Sequence, residues 1–211
     1  MVLFPIAALL FNLTFWENMT FPMAGLSNFT GLLFSLVSLS FLCAKELNNK
    51  RFFWAVLFCF LAIFTQGGGL LVVPVSLIIL LLKKDYTRLK NYGAIGVLFF
   101  VIYFIGYESP ADSPNITESL LNFKIRSLLF SLAFLGSSFS FSFFNTVNIA
   151  DNQSFAKIVN DTMMFNAIVG FAFVAIYAYL IKTKYYTKNL FNFSVMTLVI
   201  AISIVTGISR S

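Results

Sequence analysis

Long apolar runs separated by short polar clusters recur along this chain, and a helix that crosses a bilayer needs about 20 such residues. The first run, residues 1–16, ends at the polar turn Glu17-Asn18-Met19-Thr20. It has neither the charged head nor the small-residue cleavage site of a signal peptide, so it reads as a short span. Residues 22–44 are long enough to cross with some tilt, and Lys45, Glu46, Lys50 and Arg51 close that run.

Residues 52–82 are apolar except at Gln66-Gly67-Gly68-Gly69, where three glycines remove side-chain packing and favour a turn. The pattern predicts a hairpin of two short helices, near 52–66 and 70–82, with the turn at membrane depth and lining a cavity. Non-helical backbone survives there only where protein or water satisfies it. Pro74 falls in the first turns of the second helix, where a missing N–H matters least.

Lys83-Lys84-Asp85, Arg88 and Lys90 read as a second basic loop, followed by a span at 92–107. Residues 108–118, with Pro110, Pro114 and three carboxylates, read as a loop, and so do the polar residues 151–161. The last two spans are 163–181 and 190–208, with Lys182, Lys184 and Lys188 between them. The stretch 127–150 is apolar but broken at Gly136-Ser137-Ser138. The expected fold is therefore all-α, a polytopic transmembrane helix bundle of about seven spans forming a single membrane domain.

Charge sets its orientation. Placing residues 45–51, 83–90 and 182–188 on the cytoplasmic side gathers ten of the 14 basic residues there, against two of the eight acidic ones. Glu17, Glu108, Asp112, Glu118, Asp151 and Asp161 then face outward. The scheme requires 127–150 to leave and return on one face, as a re-entrant or interfacial segment folded near Gly136. An ordinary span that violates the charge rule is the alternative. Trp16, Trp54, Tyr92, Tyr107, Tyr185 and Tyr186 fall at the expected interfaces, as aromatic belts do.

Composition narrows the function classes. With 59% hydrophobic and 10% charged residues, and a mean hydropathy of +0.90, the chain has too little charge to cover a soluble surface. The net charge of +6 does not point to nucleic acid, because the cations sit in short clusters beside apolar runs. There is no histidine, which removes His-ligated metal sites and imidazole bases, so neither a metal nor another cofactor is expected. Cys43 and Cys59 lie inside apolar runs and behave as small hydrophobes.

Few residues offer chemistry. Glu17, between two spans and beside Trp16, is the best available acid; a solvated loop residue is the plainer alternative. Gln66, Gly67 and Gly68 could hold an anion through backbone N–H groups at the start of the following helix, or form only a tight hairpin. Lys124, Arg126 and Arg210 are among the few external cations. Arginine pairs bidentately with phosphate, which suits a lipid pyrophosphate headgroup; pairing with nearby acids competes with that reading.

Phe15-Trp16-Glu17-Asn18, then a span, then Ala62-Ile63-Phe64-Thr65-Gln66-Gly67-Gly68-Gly69-Leu70-Leu71-Val72-Val73-Pro74 and a Lys-rich loop, is an order that resembles bacterial polytopic proteins of the GT-C glycosyltransferase architecture and related surface-polysaccharide membrane proteins. The resemblance covers roughly residues 10–211. It implies transfer of a sugar from a polyprenyl-phosphate donor on the external face of a bacterial inner membrane. On that view Glu17 is catalytic, Arg126, Arg210, Lys124, Gln66, Gly67 and Gly68 bind substrate, and other membrane subunits join it. The chain also reads as a piece of a longer protein, lacking the N-terminal catalytic loop of that architecture. A transporter or flippase-like protein, and a noncatalytic membrane subunit, are the competing readings.

Overall fold

The computed structural model describes residues 22–105, 125–137 and 152–209, leaving aside the side chains of 22–26, 125–126, 152–162 and 209. Every regular element among these residues is helical. In chain order they are α1 (Pro22–Cys43), α2 (Asn49–Thr65), a 3-10 helix (Gly67–Leu71), α3 (Val72–Leu82), α4 (Tyr86–Phe104), α5 (Ile125–Gly136), α6 (Asn152–Lys182), a second 3-10 helix (Tyr185–Thr187) and α7 (Leu190–Ser209). The described residues fall into two compact units, one of 22–105 with 185–198 and one of 125–137 and 152–184 with 199–209.

Two helical stretches, Met163–Lys182 and Leu190–Ile208, are long and apolar enough to cross a membrane; Ser27–Cys43, Gly67–Leu82 and Ser127–Gly136 are shorter apolar helical stretches. The two long ones show their apolar side chains outward. Only 17% of the first and 28% of the second is buried.

Unit one is built on helices α1 to α4, and their starts follow local capping chemistry. Asn48 accepts a hydrogen bond from the Arg51 N–H at 2.8 Å, so α2 begins three residues before the apolar run does. Asp85 caps α4 in the same way, accepting from the Arg88 N–H at 3.2 Å. This corrects the reading of 83–90 as a loop, since Arg88 and Lys90 stand on the first turns of α4. The Lys83 ammonium donates to the Ala44 carbonyl just past the end of α1. Partial burial holds that ammonium below the ordinary lysine pKa, against the opposing pull of Asp85.

A buried polar node joins these four helices. Ser38 on α1 donates to the Ala55 carbonyl of α2 at 2.7 Å, and the Tyr92 hydroxyl of α4 lies 3.1 Å from Ser76 Oγ on α3. Tyr92 also reaches Cys59 on α2 and Ser38. All four side chains are almost fully buried. Tyr92 is thus not an interface aromatic, as its place near the start of an apolar run suggests, but an interhelical one. Its hydroxyl is satisfied inside an apolar packing where an unpaired group would cost about 1–3 kcal/mol. Tyr92→Phe should lower the unfolding free energy by about 1 kcal/mol, whereas Ser76→Ala, which leaves the hydroxyl without that partner, should cost at least as much. Denaturant titration in detergent micelles with circular dichroism would measure both.

In unit two, α5 and α6 meet at small residues. A Cβ placed on Gly136 would collide with the Asn166 carbonyl, and one on Gly170 with the Leu132 carbonyl, so the two backbones touch. The distal half of α7 joins them: Ser203 donates to the Ser131 carbonyl at 2.8 Å, and Gly207 lies against Ser131. The helix α6 starts at Asn152, which corrects the reading of 151–161 as a loop. Nothing in 152–162 stops a helix, because the stretch has no proline or glycine and its polar residues are compatible with helical geometry. α5 ends at Gly136, where the fold-back was expected; the returning limb, 138–150, lies outside the described residues.

Candidate functional site

The glycine run is where three helices of unit one present their ends together. Gln66 is extended, with φ −153° and ψ 137°, and so breaks the helical path after Thr65. Its N–H donates to the Ala62 carbonyl at 3.1 Å, and its own carbonyl accepts from the Gly69 N–H at 2.8 Å. The inner backbone of the turn is thereby satisfied without solvent. From Gly67 the chain winds as a 3-10 helix directly into α3.

The three glycines do different work. Gly69 is buried, and a Cβ there would strike the Ala62 carbonyl and the Ile63 nitrogen, so only glycine lets the turn fold back onto α2. Gly67 is exposed, and a Cβ there would stand 2.9 Å from the Tyr103 hydroxyl of α4. At Gly68 a Cβ would meet only the Gln66 amide, at 3.9 Å. Across the turn lies Gly31 of α1, where a Cβ would sit 3.0 Å from Gln66 Cβ and 3.1 Å from Gln66 Oε1.

The result is a polar cluster of the exposed Gln66 and Gly67 and the half-buried Gly68 and Tyr103, with no carboxylate among them. Such a set can donate and accept hydrogen bonds to hydroxyl or phosphate oxygens. Among the described residues no three His, Cys, Asp or Glu side chains stand close enough to hold a metal.

Its distance from the basic end follows from helix lengths. α2 has 17 residues, about 25 Å, and the 3-10 helix with α3 adds up to about 26 Å. Both arms are longer than the apolar pattern suggests, because Asn48 starts the first early and the glycines themselves join the second. The turn therefore stands about 25 Å from the basic end of the unit, beyond the far end of α2 and beside Gly31, midway along α1. Tyr103, near the far end of α4, agrees with that distance.

Of the other candidate residues, Glu17, Lys124 and Arg210 lie outside the described residues, and Arg126 is on the first turn of α5, its side chain likewise outside them. Gln66, Gly67 and Gly68 are brought together in unit one; Arg126 belongs to unit two. Sequence reading missed Gly31 and Tyr103. A lone glycine inside an apolar helix is a mark of close backbone approach and could have flagged Gly31; Tyr103 carries no such signal. No protein-family model matches the chain, and no match is found among curated proteins or among solved structures.

Proposed function

We propose that the chain is a multi-pass integral membrane protein of cell-surface glycan assembly, of about seven spans, that engages a polyprenyl-phosphate-linked sugar at the external face. The observation that carries the membrane part is the outward display of apolar side chains on α6 and α7, where Phe165, Ile168, Phe171, Ile176 and Ile204 are all exposed. A soluble protein buries such helices in its core, and a secretory signal lies at the N-terminus; neither explains two outward-facing apolar helices between residues 163 and 208. Lipid does.

The glycan part is supported by the ordered resemblance of the Phe15–Asn18 and Ala62–Pro74 segments, and by the chemistry of the turn. A hydrogen-bonding, uncharged surface about 25 Å from the basic end suits sugar hydroxyls and phosphate oxygens at the outer leaflet, if the basic end is cytoplasmic. Glu17 is then the acid of the reaction, and Lys124, Arg126 and Arg210 neutralise the phosphate.

Binding of a fluorescent polyprenyl phosphate to the chain in nanodiscs is the test. Gly67→Val, which fills the space before Tyr103, and Gln66→Ala should each weaken binding about tenfold while the thermal midpoint holds. Unchanged affinity in both variants would remove the turn from the site. Transport of the lipid across the bilayer by the chain alone would favour the flippase reading.

A further inference from the structure

We infer that the basic end of unit one is a docking face for anionic phospholipid headgroups, a lipid site separate from the glycine turn. It rests on the membrane reading above and not on the glycan one. Between Lys45 and Lys90 there are seven cations and two carboxylates, Glu46 and Asp85. One of those carboxylates is already spent internally: Asp85 Oδ2 pairs with Arg88 Nη1 at 2.8 Å. Arg88 turns its other nitrogen to Asn49 Oδ1 at 3.2 Å and so ties the start of α4 to the start of α2. Arg51 gives a 2.7 Å hydrogen bond to the Glu46 carbonyl.

What these ties leave outward is a set of lysines. Lys45, Lys50, Lys84 and Lys90 are exposed, and their side chains make no ion pair or hydrogen bond among the described residues. The starts of α2 and α4 and the ends of α1 and α3 all lie at this end, so the helix dipoles offset one another and the lysines set its charge.

Exposed apolar side chains adjoin these cations. Phe53 and Trp54 follow Arg51 on α2, Leu81 precedes the lysine pair on α3, and Tyr86 follows it on α4. Cations one helical turn beyond exposed aromatics match a headgroup layer over an acyl layer, and they do not match an acidic soluble partner, which would leave the rings in water. Lys84 strengthens the case. It ends α3 in the left-handed region at φ 58°, a position that favours glycine, so the chain keeps a charge where backbone geometry would choose none.

Each cation near an anionic surface multiplies partitioning by about fivefold. The full chain in nanodiscs of mixed phosphatidylcholine and phosphatidylglycerol should therefore enrich spin-labelled phosphatidylglycerol at its surface, and added salt should reduce that enrichment. The triple variant Lys50→Gln, Lys84→Gln, Lys90→Gln should lose it at least tenfold, while Lys84→Arg should keep it. Equal enrichment in the wild-type chain and the triple variant overturns the proposal, as does binding of polyglutamate without any enrichment of the anionic lipid. Circular dichroism and the thermal midpoint identify a triple variant that has failed to fold; Lys50→Gln with Lys90→Gln, which leaves the end of α3 untouched, then decides by the same readout. Gly67→Val should leave the enrichment intact, so failure here and failure of the polyprenyl-phosphate site are told apart.

Discussion

Replacing Gly170 with valine should destabilise unit two by about 3 kcal/mol, seen as a large fall in the denaturant midpoint in micelles. The argument is steric. A Cβ at 170 would overlap the Leu132 carbonyl of α5, and that obstacle is backbone, which no rotamer change can move. The helices must separate, and the contact from Leu132 to Gly136 opens with them. The same test has an internal contrast in Gly93 on α4, where a Cβ would meet only Leu77 Cδ2 at 3.8 Å. Gly93→Ala should stabilise by about 0.5–1 kcal/mol, through helix propensity alone. If both glycines respond alike, close packing of α5 on α6 is not what Gly170 provides.

The second large effect is expected at Gly69. Gly69→Ala forces a methyl into the Ala62 carbonyl and Ile63 nitrogen, so the turn cannot close onto α2 as it stands. The cost should be about 2–3 kcal/mol, and the hydrogen bond from the Gly69 N–H to the Gln66 carbonyl should weaken with it. Gly68→Ala, one residue away, should cost well under 1 kcal/mol, because its Cβ meets nothing closer than 3.9 Å. Thermal unfolding of the two variants side by side separates a requirement for this one glycine from a general need for a flexible loop; equal midpoints would favour the loop.

Helices were legible in this sequence wherever an apolar run had a clear edge. Pro22 opens α1 where the pattern begins, Gly136 closes α5, and the last two spans lie where hydropathy puts them. The pattern misjudged starts that are set by a single capping side chain. Asn48 and Asp85 begin α2 and α4 inside stretches that look like polar loops, because a helix can carry lysine and arginine on its first turns when a cap satisfies its N–H groups. The same blindness made residues 152–162 look like a loop. At the glycine turn, composition exposed the break itself, since three glycines in an apolar run have few other uses. It could not say which glycine is sterically required. That depends on how the turn sets Gly69 onto Ala62 and on Tyr103 arriving at Gly67 from a helix about 36 residues further on, and composition shows neither. The node of Ser38, Cys59, Ser76 and Tyr92 was hidden for the same reason: single polar residues in apolar runs reveal their partners only once the helices are packed.

That node also bears on the order in which the chain assembles as it leaves the ribosome. Two of its bonds span short distances in sequence, 17 residues from Ser38 to Ala55 and 16 from Ser76 to Tyr92. Each of these two helical pairs can lock almost as soon as its second member is made, and Tyr92, which also reaches Cys59 and Ser38, then ties the two pairs together. The contact between Cys43 and Ser194 spans 151 residues. That link can form only after the start of α7 has been made.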